Sequence, residues 1–214
     1  MDKNKAKLTF LLLIAALPIS TATWYFSTHE YKGIIATRNK GELVTPVIDV
    51  TTLDLRNGAG EPAYLPFDEI VADIDPEDYE PRPWQLLYIG APECNDSCVE
   101  RLYFLRQLHV RLGREFDRVQ RVYVQASDVP GPLPAATAAF ITEQQPDMRV
   151  VYANASALRE KLRATVPSGT DPLAQHYIYV VDPVGNVMLY FTPENTPEEI
   201  LSDLDTLLDN SSLG

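Results

Sequence analysis

The sequence predicts an α/β fold for a single exported domain behind an N-terminal transmembrane helix. Three observations carry this. An uncharged apolar run, Leu8 to Phe26, follows a head bearing Lys3, Lys5 and Lys7. Beyond it, compact runs rich in β-branched and aromatic residues alternate with segments of helical period. Near the end, two apolar runs are separated by a tight turn instead of a helix.

The apolar run of 19 residues rises about 28 Å as a helix, roughly one hydrocarbon core. Trp24 and Tyr25 stand where interfacial aromatics anchor a span. The lysines stay on the cytoplasmic side and the rest of the chain crosses. The expected organisation is a membrane anchor over 1–26, a polar stalk over 27–45 and a folded domain over 46–214. A cleaved signal peptide is the alternative for the head, with Ser20 and Ala22 as small residues at a cleavage site. Either way the domain is exported, where cysteines can oxidise.

The elements follow in order. "GELVTPVIDVTTLDL" supplies a short strand or two. "FDEIVADIDPEDYEPRP" is acidic and proline-rich and reads as a loop. "WQLLYIG" is a buried strand ending at Gly90. A helix runs from about Cys98 to Leu112, its stripe formed by Cys98, Leu102, Leu105, His109 and Leu112, with Gly113 as its stop. "RVQRVYVQA" is a strand, "PAATAAFITEQQ" a helix, "MRVVYA" a short strand and "ASALREKLRATV" a helix. "QHYIYVVD" is a strand beginning at His176. The turn formers Asp182, Pro183 and Gly185 lead back into "VMLYF". In the last helix Thr196 caps, Pro197 takes the first position and Glu199 completes a capping box. A hairpin joined to a βαβ unit, with helices on both faces, is a thioredoxin-like plan.

The only cysteines, Cys94 and Cys98, stand at the turn after the "WQLLYIG" strand. Ser97 reads as the cap of the following helix, with Glu100 three residues on. Cys94 then lies in the loop and Cys98 in the first helical turn, which lets the sulfurs meet. A helix N-terminus favours thiolate, the form that attacks disulfides and binds soft metals. Glu93, Asp96 and Glu100 oppose it as like charges. A bound Cu(I) would offset the thiolate charge. A purely structural disulfide is the remaining alternative, although so short a loop constrains little of the unfolded chain.

These residues resemble the Sco/SenC family of thioredoxin-like, membrane-anchored proteins. That family places C-P-x-x-x-C on a loop between a strand ending in glycine and a helix. Here Ile89-Gly90 and Cys94-Asn95-Asp96-Ser97-Cys98 occupy those places. "NKGELVTP" (Asn39 to Pro46) and the "YVVDPVGNVMLYF" hairpin (Tyr179 to Phe191) are similar to the family's start and hairpin. The resemblance implies assistance in assembling the copper centre of cytochrome c oxidase. The partner would be an oxidase subunit or another assembly factor. The place would be the bacterial inner membrane, with a single pass and the C-terminal domain on the periplasmic side. Cys94 and Cys98 would bind Cu(I) or cycle between dithiol and disulfide. A histidine would be the third copper ligand. Two departures stand out: Asn95 replaces the family's proline, and there is no D-H-S segment. The nearest candidate ligand is His176, six residues before Asp182.

The remaining titratable residues are read differently. His109 is too far along the helix to share a metal with Cys98 and reads as a core histidine. His29 lies just beyond the apolar run. Asp171 is a candidate support for His176. Tyr88, Tyr177, Tyr179 and Tyr190 read as strand packing. The net charge of -12 argues against a nucleic-acid partner. Two other functions stay open: a metal-free periplasmic thiol–disulfide oxidoreductase, and a non-catalytic assembly scaffold on the same fold.

Overall fold

The computed structural model describes residue 7 and residues 16–21, 23–24, 39–72, 82–129 and 131–211. The chain divides into two units, Met1–Arg38 and Asn39–Gly214. In the first, residues 16–21 and 23–24 are helical. The hydroxyls of Ser20, Thr21 and Thr23 each donate to a carbonyl one turn back. Among the described residues no helix is long and apolar enough to cross a membrane. Most of the expected span, 8–26, lies outside the described residues, as do His29 and most of the stalk.

The second unit begins at Asn39, earlier than the expected domain boundary at 46. Strand β1 spans Glu42–Asp49 and so draws the end of the expected stalk into the sheet. Helix α1 (Phe67–Ala72) occupies part of the segment read as a loop. There follow β2 (Trp84–Gly90), α2 (Asp96–Arg111) and β3 (Val119–Ala126). Next come α3 (Ala135–Gln144), β4 (Arg149–Ala153) and α4 (Ala155–Lys161). The hairpin β5 (Ile178–Val181) and β6 (Asn186–Phe191) leads to α5 (Pro197–Asn210).

The six strands form one sheet in the order β1-β6-β5-β2-β3-β4. Strands β2, β3 and β4 are parallel, while β5 and β6 return antiparallel. Every residue of β2 is buried, as a central strand covered on both faces requires. Its side chains alternate. Leu87 and Ile89 join Val122, Val124, Val151 and Leu158 on one face. Leu86 and Tyr88 join Leu102, Leu105, Ile141 and Leu204 on the other. The helices α2, α3 and α5 therefore share one face, and α4 packs on the other. The period of two across β2 sorts its residues into these two cores.

Two terminal features fix the frame. Thr196 and Glu199 make the expected capping box on α5, with Pro197 at its start. The buried Asp203 on α5 accepts from the backbone nitrogens of Lys40 and Gly41 at 2.7 and 2.8 Å, holding the lead into β1. The hairpin turn is also as expected. Asp182 accepts from the nitrogens of Gly185 and Asn186, and Gly185 sits at φ 112°, a conformation glycine supplies without strain.

Candidate functional site: the Cys94–Cys98 turn

The sequence places the cysteines after β2 because that strand must stop. A Cβ on Gly90 would stand 2.5 Å from the hydroxyl of Tyr123. That hydroxyl donates instead to the carbonyl of Ala91 at 2.7 Å, so the strand ends against a buried tyrosine and the chain turns away.

The helix then starts two residues earlier than expected. Asn95, not Ser97, is the N-cap: its side chain accepts from the backbone nitrogen of Cys98 at 3.0 Å. The helix begins at Asp96, and Ser97 lies inside its first turn. Asparagine is as good a cap as serine, and here it stands where the Sco/SenC pattern has proline. The cap leaves Cys94 in the loop and Cys98 in the first turn. The two form a disulfide with a Cα–Cα distance of 5.2 Å. Cys98 is buried and Cys94 half-buried.

The loop is held from α3. The buried Thr137 accepts from the nitrogen of Cys94 at 3.2 Å and donates to the carbonyl of Pro92 at 2.9 Å. No sequence motif pointed to Thr137. Its one signal is a hydroxyl on a stretch of alanines, at a position that the fold turns inward.

His176 reaches the same cleft by a different route from the one expected. It does not begin β5, which starts at Ile178. It sits two residues before the strand in the left-handed region, at φ 53°. Ile178 pairs with Tyr88 across the sheet, so the chain ahead of Ile178 approaches the end of β2 where the cysteine loop leaves. His176 Nδ1 and the Tyr88 hydroxyl share a hydrogen bond of 2.7 Å, and the two rings lie nearly parallel. Tyr88 is thus core packing and a polar support at once. Asp171 does not support His176. It pairs with Arg159 at 3.1 Å and caps the turn at Leu173.

Arg101, one turn after Cys98, is the other residue that the sequence reading missed. It is only 7% exposed. Its Nε donates to the carbonyl of His176 and its Nη2 to the carbonyl of Thr192, both at 3.0 Å. The guanidinium lies over the Phe104 ring. Burial lowers its pKa to about 10, so it remains charged at neutral pH. Burial, and then Arg101, push the His176 pKa below its ordinary value, which keeps the imidazole neutral. Burial raises the Tyr88 phenol, so it stays protonated. The acidic neighbours Glu93, Asp96 and Glu100 are exposed. The charge on the buried side of the turn is therefore Arg101's, and the carboxylates opposing a thiolate face water.

Cys98, His176 and Tyr88 line one cleft of about 300 Å³. By donor type, two sulfurs and a neutral imidazole suit a soft ion. The geometry is that of the oxidised pair. Among the described residues no group of three or more His, Cys, Asp or Glu side chains is gathered closely enough to hold a metal ion. Of the expected set, Cys98 and His176 line this cleft and Cys94 does not, and the three form no such group. His109 behaves as expected for a core residue. Its Nε2 donates to the carbonyl of Val119 at 2.6 Å, and its ring stacks on Phe116.

A family model described as "transmembrane-like, thioredoxin-like, C-terminal domain" matches residues 84–211, from β2 to the end of α5. The chain belongs to this family. The thioredoxin-like domain also resembles solved structures of Sco proteins. BsSco of Bacillus, described as a member of the Sco family of cytochrome c oxidase assembly proteins with a disulfide switch, aligns with a TM-score of 0.53. It is 17% identical over 78% of this chain and 96% of that chain. Copper-bound ScoI of Bradyrhizobium japonicum aligns with a TM-score of 0.47 at 17% identity, over 78% of this chain and 98% of that one. Copper-bound yeast Sco1 aligns with a TM-score of 0.47 at 13% identity, over 60% and 80%. At these identities the likeness to Sco is one of fold. No curated protein matches the chain in sequence.

Proposed function

We propose that this thioredoxin-like protein is a divergent, membrane-tethered Sco-like factor that assists assembly of the copper centre of cytochrome c oxidase. Its cargo is Cu(I), carried by the reduced Cys94 and Cys98, with His176 as third ligand. The observation that carries the reading is the cysteine pair at the start of α2, whose Cys98 lines one cleft with His176, an imidazole held by Tyr88. Two thiols and an imidazole match a soft ion better than a hard one. A hydrogen bond from Nδ1–H to Tyr88 would leave the Nε2 lone pair for the metal.

Two states of one pair then have different roles. As a disulfide the sulfurs offer no thiolate. Reduction by two electrons and two protons yields two thiols, and loading with Cu(I) releases their protons. In exchange with a partner, an incoming thiolate reaches the half-buried Cys94 before the buried Cys98. A mixed disulfide forms at Cys94, and Cys98 leaves as a thiolate at the helix N-terminus, where such charge is favoured.

Residues 1–26 would form the tether, with residues 39–211 on the periplasmic side of a bacterial inner membrane. The hydroxyls of Ser20, Thr21 and Thr23 are satisfied within their own helix, as hydrocarbon surroundings demand. The tether raises the effective concentration of the domain near a membrane enzyme.

One observation favours metal-free thiol exchange as a second reading. The three expected ligands are not gathered into a metal-sized group. A Cu(I) titration of the reduced chain against a competing chelator decides between the two. Stoichiometric binding lost in both Cys94→Ser and Cys98→Ser supports copper carriage. Binding no stronger than in the double serine variant leaves thiol exchange as the function.

A further inference from the structure

A second cleft lies away from the cysteines. It holds about 540 Å³, within the range of small-molecule sites. It lies at the C-terminal ends of the parallel strands β3 and β4, where open α/β sheets bind ligands. It shares no lining residue with the cysteine cleft.

One residue of its lining is out of place in a core strand. Gln125, on β3, is only 3% exposed. Its Oε1 is shielded from solvent and has no hydrogen-bond partner. Its Nε2 reaches the carbonyl of Gly131 at 3.5 Å, the outer limit of a hydrogen bond. Trp84 Nε1 and Arg121 Nε in the sheet are also without partners, but Gln85 and Arg121 each keep a firm side-chain bond. Gln85 accepts from Tyr64, and Arg121 donates to Gln145. Gln125 thus presents an adjacent acceptor and donor, one unpaired and the other weakly paired.

The surroundings narrow what such an amide would recognise. Tyr152 and Ala153 on β4, with Pro132, give the cleft a largely apolar wall. Arg56 at the rim is already bound to Asp54 at 2.7 Å and to the carbonyl of Gly60. It is not set out as an anion clamp, and Asp54 beside it disfavours an anion. A primary amide pairs in a bidentate manner with a ring edge that carries a donor beside an acceptor, as glutamine does with adenine.

We infer that this cleft binds an uncharged planar nitrogen heterocycle, whose donor–acceptor edge pairs with the Gln125 amide while its ring packs on Tyr152. The Gln125 side chain turns toward the cleft as Nε2 leaves Gly131, so that the ligand's N–H donates to Oε1 and its ring acceptor takes Nε2. The site is separate from the disulfide, so the inference does not depend on copper or thiol chemistry.

Adenosine and uridine are the probes, titrated into the full chain in detergent with glutamine side-chain amides labelled by ¹⁵N. The expected result is a saturable shift of the Gln125 amide with at least one of them. For adenosine, N6,N6-dimethyladenosine, which lacks the donor, should bind at least about tenfold more weakly. Adenosine monophosphate should bind no better than adenosine. Gln125→Leu removes that reporter, so its binding is read by equilibrium dialysis of radiolabelled nucleoside, and it should be lost. Val129 is 75% exposed at the cleft, so Val129→Trp should block binding without disturbing the fold. The Cys94→Ser/Cys98→Ser variant should respond like wild type. No saturable shift with either nucleoside would overturn the inference. So would binding of the dimethylated ring as tight as that of adenosine, or binding that survives both Gln125→Leu and Val129→Trp.

Discussion

The Tyr88 hydroxyl and His176 Nδ1 stand 2.7 Å apart, and this contact fixes the imidazole over the cysteine cleft. Tyr88 is fully buried in β2, so its hydroxyl is a fixed point. Removing it frees the ring without removing the proposed ligand, His176. Tyr88→Phe should weaken Cu(I) binding about tenfold while the dithiol potential stays at its wild-type value. Chelator competition and a glutathione redox titration, run on the same preparation, check both halves.

Arg101 ties α2 to the segment before β5 and to the end of β6 through the carbonyls of His176 and Thr192. A methionine there keeps the stem but leaves two carbonyls without their charged donor. Arg101→Met should cost about 2–3 kcal/mol in urea unfolding. It should also raise the mobility of the His176 ring, visible as broadened imidazole resonances. A loss under about 0.5 kcal/mol, the range of ordinary surface substitutions, would remove Arg101 from the account.

Thr137 holds the cysteine loop from α3 by one accepted and one donated bond. Thr137→Val keeps the shape and deletes both. Stability should fall by about 1–2 kcal/mol. Hydrogen exchange at the Cys94 amide should accelerate while the amides of β2 keep their protection.

His109 gives the fold a defined acid response. Burial lowers its pKa below 6.5, outweighing the carbonyls of Phe116 and Val119 that raise it. The unfolded chain therefore takes up the proton at higher pH than the folded one. Stability should be full above pH 6.5, fall as the pH drops below it, and level off below the folded pKa. His109→Gln should flatten this slope, as measured by urea midpoints from pH 7.5 to 5. An unchanged slope would contradict the assignment.

Much of this architecture is legible in the residues. The unbroken apolar run of β2, the Asp182 turn and the capping box of α5 each depend on neighbours in sequence, and the structure bears out each of them. The misplaced details depend on contacts between distant segments. Ser97 and Asn95 are both good caps, and only the path of the loop chooses Asn95. His176 fits the alternation of β5, yet its backbone is left-handed and the strand begins only at Ile178. Thr137, Arg101 and Gln125 carry no local pattern. Each matters because the fold turns a polar group inward, and periodicity says nothing of that.

The most direct measurement is copper K-edge X-ray absorption on the reduced chain loaded with one equivalent of Cu(I) and desalted, beside His176→Ala. The wild type should show two sulfur scatterers and one nitrogen scatterer, with the nitrogen lost in the variant and the sulfurs retained. No copper surviving desalting, or identical spectra from the two proteins, would contradict it.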